Sequence, residues 1–170
     1  GRGQPFWILV ILTLITAVSS ALLDNVTIVV LVAPVTLLVA ARLGVNPLPF
    51  LISEILASNI GGTATLIGDP PNILIASAAD IDFITFAAHM TPISLLILLV
   101  FIGLSWFLFK KDLHVKQKQM LAIETLETSA LITDRPLMIK ALIVLAGVIL
   151  GFLVHGIFHL QPATIAMTGA

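Results

Sequence analysis

A chain of 170 residues that is 59% hydrophobic and only 10% charged is far more apolar than a water-soluble domain and falls in the range of integral membrane proteins. A net charge of −1 gives no electrostatic reason for a nucleic-acid partner, and the lack of cysteine removes disulfide frameworks, thiolate zinc sites and thiol redox chemistry. The chain opens without Met and stops within the apolar stretch QPATIAMTGA, so an interior piece of a longer polypeptide is expected.

Two apolar blocks come first, residues 5 to 23 and 26 to 43, separated by Asp24 and Asn25 alone. At 1.5 Å per residue each is about 27 Å long as a helix, the lower edge of a bilayer span, and the pair must fold back as a hairpin over 5–43. Length leaves open whether that hairpin crosses the membrane or only enters it. Pro34 is expected to kink its second arm. GVNPLP, residues 44 to 49, makes a turn before the segment 50–79, in which FLISEILAS and ILIASAA flank NIGGTATLIGDPPN. Each flank is about two helical turns, too short to cross alone, so together they form one interrupted span. A helix over 91–109 follows, then a hydrophilic loop over 110–136, a helix over 137–158 and the start of another over 162–170. The expected fold class is an all-α membrane protein with a short or re-entrant helix hairpin and a discontinuous transmembrane helix.

Cationic residues test this layout. If the hairpin returns to its starting face, the interrupted segment crosses once and 91–109 crosses back, then Arg2, Arg42, Lys110, Lys111, Lys116, Lys118, Arg135 and Lys140 share one face or its edge. These are all the Lys and Arg of the chain, whereas the opposite loop ADIDFITFAAH carries Asp80 and Asp82 and no basic residue. The positive-inside rule makes the Lys-rich loop cytoplasmic.

Lipid offers no hydrogen bonds, so uncoiled backbone at membrane depth survives only under cover of protein or a watery cavity. Gly61, Gly62 and Gly68 permit positive φ and close approach, while Pro70 and Pro71 keep the helix from closing over the gap. Freed carbonyls and the Thr63 and Thr65 hydroxyls would favour a cation, and the half-helix starting near Asn72 would point its positive dipole end at an anion. The Asp24-Asn25 tip begins a second helix, so two breaks at similar depth suggest one site. Asp24 fits either a helix N-cap at a turn or a functional carboxylate, and Asp69 in GDPP is equally ambiguous. Glu54 lies about one turn before the break, either as a packed carboxylate or as a proton carrier. His155 and His159 have an i, i+4 spacing but no third ligand nearby, so no metal site is expected. Trp7 and Trp106 suit interfacial anchors.

SALLDNVTIVVLVAPVT followed by SNIGGTATLIGDPPNILIAS closely resembles the pink-eyed-dilution P protein group within the arsenite permease and sodium/proton antiporter families of the ion transporter superfamily. The resemblance covers nearly the whole chain, to the start of the next span at HLQPATIAMTGA. It implies a helical transporter of about twice this length or more, built from two inverted repeats, of which this is the first; each repeat gives a re-entrant hairpin and a broken helix to a central site. More distant sodium-coupled dicarboxylate carriers carry a Ser-Asn-Thr tip and a Gly-Thr-rich loop. Asn25 matches their tip Asn, and Gly62, Thr63 and Thr65 match the loop, which implies a sodium site at those four residues. Asp24 stands in place of their Ser, Val26 in place of their Thr with Thr27 one position later, and Asp69-Pro70-Pro71 in place of a small neutral stretch. Two added carboxylates would repel a dicarboxylate substrate.

The expected function is secondary active transport of a small inorganic ion or anion, of the arsenite or anion efflux or sodium/proton antiport type, with coupling to protons or sodium. Asp24, Asn25, Thr27, Gly61, Gly62, Thr63, Thr65, Asp69 and Asn72 are the candidate site. No catalysis and no cofactor beyond a coupling Na⁺ or H⁺ is implied. Expected partners are the transported ion, the lipid bilayer, the remaining half of the transporter and, as an option, a second copy in a homodimer; the inner membrane is the expected location in a bacterium. Two alternatives from other classes are an intramembrane aspartyl protease using Asp24 and Asp69, disfavoured by Leu66 at its first Gly position and by Pro70, and a passive ion channel.

Overall fold

The computed structural model describes residues 4–111 and 113, together with 136, 139, 140, 143, 144, 146–151 and 164. Five helices are complete: α1 (Pro5–Ser20), α2 (Asn25–Leu43), α3 (Leu48–Gly62), α4 (Pro70–Ala79) and α5 (Phe83–Phe109). No strand occurs among the described residues, and the fold is that of an all-α membrane protein. The predicted loop over 110–136 and helix over 137–158 lie largely outside the described residues, as do His155 and His159; those described between 136 and 151 are helical.

Local chemistry sets each boundary. Pro5 opens α1, where a missing N–H costs nothing. α1 stops at Ser20, three residues before the end of its apolar block, and Ala21 to Asp24 form the tip. Asp24 caps α2, its carboxylate accepting from the Thr27 N–H at 3.0 Å and the Thr27 hydroxyl at 3.1 Å. α2 stays continuous through Pro34. It ends at Gly44, whose φ of 64° lets its own N–H reach Ala41 O and the Val45 N–H reach Ala40 O, the paired bonds of a Schellman cap.

α5 departs from the sequence expectation. It begins at Phe83 rather than at Thr91, because Asp82 caps it by accepting from the Thr85 N–H at 2.9 Å, and Pro92 sits inside the helix. With 27 residues α5 rises about 40 Å. Leu96, Leu99, Val100 and Phe107 are each more than 60% exposed along it, a surface suited to lipid and not to water.

Three apolar layers stack along α5. At one end Leu9, Leu43 and Phe50 close on Leu113 and Phe109, with the Phe6 ring edge-on to Trp106 at 4.7 Å. Ala17, Ala57 and Leu98 form the middle layer, and Leu66, Ala76 and Phe83 the far one. α1 and α3 therefore run parallel, and α5 runs against them. Their contact uses small residues, as expected where lipid competes equally for apolar side chains. A Cβ on Gly61 would fall on the Ala17 carbonyl, and the Ser20 hydroxyl donates to Ser58 O at 2.7 Å.

That last bond makes a modest prediction. Ser20→Ala in the full-length protein should lower stability by about 0.5–1.5 kcal/mol, removing a buried hydrogen bond between α1 and α3. Thermal unfolding in detergent should show the midpoint falling by a few degrees. An unchanged midpoint would mean that the Gly61–Ala17 approach alone holds the two helices.

Candidate functional site

The two interruptions meet. The Thr65 hydroxyl of the break donates to Ala21 O of the hairpin tip, and the Asn25 side-chain amide donates to Asn59 Oδ1 at 3.2 Å. Asn59 is itself steadied by donation to Ile55 O at 2.7 Å. α5 supplies the third wall: the Thr91 hydroxyl donates to Ala64 O at 3.0 Å, and Ser94 Oγ lies 3.1 Å from Thr63 Oγ1. Thr91 is eight residues from the start of α5, so the junction sits about 12 Å inside one end of that helix and about 27 Å from the other.

The uncoiled stretch is shorter than the sequence suggests. α3 continues through Gly62 and α4 resumes at Pro70, leaving residues 63 to 69. Nor do the glycines of the motif use positive φ: among the described glycines only Gly44 does. Their role is close approach. A Cβ on Gly62 would lie 2.9 Å from Gly68 O, and one on Gly68 would strike Ser20 O. Gly61 is committed in the same way to α1.

Within the break, several polar groups already have partners. Asn72 spans the gap, its amide donating to Gly62 O at 3.1 Å and to Thr65 O at 2.9 Å. Thr65 Oγ1 also accepts from the Ile67 and Gly68 N–H groups at 3.2 and 3.3 Å, and the Thr63 hydroxyl donates to Ile60 O at 2.8 Å. Some of the carbonyls expected to face a cavity are thus taken by side-chain donors, namely those of Gly62, Ala64 and Thr65. Two recesses flank it, one of about 150 Å³ against Ala21, Gly61, Ala64, Thr91 and Ser94, the other of about 230 Å³ against Asn25, Val26, Val30, Ile55, Ser58 and Asn59.

The anion-attracting helix ends are also modified. Pro70 and Pro71 carry no N–H, and the Asn72 N–H is taken by Asp69 O at 3.0 Å, so α4 presents a dipole without free first-turn donors. At α2 the Asp24 carboxylate already occupies the positive end. Asp24 and Thr27 thus form a cap with each other, whereas the half-buried Asp69 makes no side-chain bond to the first turn of α4. No group of three or more His, Cys, Asp or Glu side chains fit to hold a metal occurs among the described residues.

Sequence reasoning passed over Asn59, Ser20, Thr91 and Ser94. Thr91 and Ser94 share one face of α5 at i, i+3 in an otherwise apolar run, a pattern that marks a helix face turned towards polar protein. Asn59 and Ser20 sit at the last polar position before each interruption.

The chain is 47% identical to an uncharacterized transporter of Mycobacterium tuberculosis over 170 residues, 99% of this chain but 39% of that protein. It is 41% identical to the P protein of Homo sapiens over 122 residues, 68% of this chain and 15% of that one. Magnetosome protein MamN of Paramagnetospirillum magneticum is 44% identical over 99 residues, 58% of this chain and 23% of the relative. The chain thus spans well under half the length of these relatives, and no solved structure matches it. The P protein match bears out the resemblance carried by the two motifs, and since the citrate transporter family profile matches residues 1–170 in full, the chain belongs to that family.

Proposed function

We propose that this chain is one repeat of a secondary active transporter for a small inorganic ion or anion, with the binding site at the junction of hairpin tip and broken helix. The observation that carries this is the docking of Asn25 on Asn59 and of Thr65 on Ala21, which joins two breaks of distant sequence at one depth. Such paired interruptions are how transporter folds place backbone dipoles inside the membrane without exposing them to lipid. α1 is 16 residues, about 24 Å, and its tip stops level with Thr91 short of the far end of α5, which favours a hairpin that enters and returns.

Asn25, Gly62, Thr63 and Thr65 form the proposed cation side of the site, with Asp69 supplying charge and Asn72 holding the break in shape. The Asp24 carboxylate already seated at the start of α2, and the prolines that remove two N–H groups at the start of α4, favour a cation here over an anion held by backbone N–H groups. The remaining half of the longer protein would complete the site, and the Lys-rich loop would face the cytoplasm.

The test is flux by the full-length protein in proteoliposomes, with radioactive sodium, arsenite, chloride and citrate as probes under an imposed pH or sodium gradient. Accumulation of one probe against its gradient, dependent on the driving ion, is the expected result; flux that only follows the probe's own gradient would indicate a channel. Asp24→Asn keeps an oxygen to cap α2, so it isolates the charge from the cap. Should neither Asp24→Asn nor Asp69→Asn change flux or coupling, neither carboxylate takes part in transport.

A further inference from the structure

Away from the junction lies a second polar layer with no role in the site just described. Thr13, Thr36 and Ser53 are fully buried, Thr16 likewise, and Glu54 is 1% exposed. α1 and α3 run parallel, with Leu9 beside Phe50 in one apolar layer and Ala17 beside Ala57 in the next. Thr13 and Thr16 of α1 and Ser53 and Glu54 of α3 all fall between those two layers, and Thr36 of α2 reaches the same level by donating its hydroxyl to Glu54 Oε1. Among the described residues, four oxygens in this layer find no partner: Thr13 Oγ1, Thr16 Oγ1, Ser53 Oγ and Glu54 Oε2.

Unpaired buried hydroxyls are rare, and helical Ser and Thr normally bond back to their own helix, as Ser58 and Ser105 do here. Among the described residues, no cation on the helices packed against α3 compensates the carboxylate, and α5 carries only His89, nine residues before the Leu98 layer. α1 carries no ionisable residue, and α3 none besides Glu54. α2 has only the exposed Arg42, six residues or about 9 Å past Thr36, and its capping Asp24 about 18 Å away in the other direction. A lone carboxylate so enclosed is costly unless its charge can be cancelled.

We propose that Glu54 is the exchangeable proton site of this transporter, served by the buried hydroxyls of Thr13, Thr16, Thr36 and Ser53. A proton taken from water on one side forms an O–H bond at Oε2; release on the other side breaks that bond and leaves the carboxylate. A carboxylate only accepts hydrogen bonds, whereas the acid also donates one, so its partners must be able to reverse. Hydroxyls can do both, and a set left uncommitted suits a group that alternates. Glu54 stands one turn before Ser58 and five residues before Asn59, so its charge state can bias the Ser20–Ser58 and Asn25–Asn59 contacts. The proposal rests on the transport reading above, and its test is built to fail separately.

Infrared difference spectra of the full-length protein in lipid vesicles, recorded between acid and alkaline sodium-free buffers, should contain a carboxylic C=O band. Glu54→Gln should remove that band; Asp24→Asn and Asp69→Asn should leave it. With a pH dye in the lumen, and sodium, arsenite, chloride and citrate as probes, Glu54→Gln should reduce probe-driven proton movement by about tenfold or more. Exchange of the same probe across the membrane should persist. Glu54→Asp and Thr36→Val, which retain or flank the acid, should keep the band but shift its midpoint, and serve if the Gln variant fails to insert. A band unaffected by Glu54→Gln, proton movement unaffected by it, or displacement of the band by sodium chloride would each overturn the assignment. If no probe moves in wild type, the transport reading falls, and the infrared result still decides whether Glu54 binds the proton.

Discussion

Gly68→Val in the full-length protein is expected to reduce transport by at least about a hundredfold while the protein still inserts. A Cβ at Gly68 would strike Ser20 O and lie 2.6 Å from Gly62 O and 2.7 Å from Gly62 Cα. All these atoms are backbone, so no flexible side chain can yield. Overpacking of this kind typically costs about 1–3 kcal/mol per site, and more where main chain must move. Each 1.4 kcal/mol taken from the transporting conformer is about a factor of ten. The direct structural readout is cross-linking, in a full-length background cleared of any cysteine outside these 170 residues, which themselves hold none. An Asn25→Cys/Asn59→Cys pair should be bridged by a short bifunctional reagent in the parent and not in the Gly68→Val background. Unimpaired flux in Gly68→Val would show that tip and break need not touch for transport.

How much of this could be read beforehand differs from element to element. Helix existence was legible because apolar runs and their punctuation are local: Gly44, Asp24 and the Pro70-Pro71 pair each end or begin a helix through bonds within a few residues. The start of α5 was misplaced because Thr91-Pro92 looks like a helix opening, although Asp82 with Thr85 three residues later is the true cap. The uncoiled stretch was drawn too long for another reason. Glycine serves both broken backbone and close helix contact, and Gly61 and Gly62 serve the second from within α3. Asp24 was ambiguous, and its bonds to Thr27 make it a cap without deciding whether its charge is used. The meeting of tip and break lies beyond local pattern altogether. Thr65 and Ala21 are 44 residues apart, and only the similar depth of the two breaks and the family resemblance linked the two motifs, without the bonds that join them. The Glu54 layer was equally hidden, since Thr13, Thr16 and Thr36 look like unremarkable residues of apolar helices until burial brings them level.

Asn72→Asp is expected to be more damaging than Asn72→Ala, which separates the bridging role of this side chain from mere occupancy. The amide donates to Gly62 O and Thr65 O at once, tying the end of α3 to the loop from the first turn of α4. Alanine loses two hydrogen bonds, each worth about 0.5–1.5 kcal/mol net, and leaves two partly buried carbonyls unpaired; transport should fall roughly tenfold to a hundredfold. A carboxylate of the same shape can only accept, so it faces both carbonyl dipoles with like charge and pushes the break open further. Protonation would return one donor to the Asp variant and nothing to the Ala variant. Their flux ratio in proteoliposomes should therefore rise as the pH is lowered, a comparison in which the transporter's own proton dependence cancels. Equal losses in both variants, with a flat ratio, would mean that the break keeps its shape without Asn72 and that this residue acts by contacting the ion.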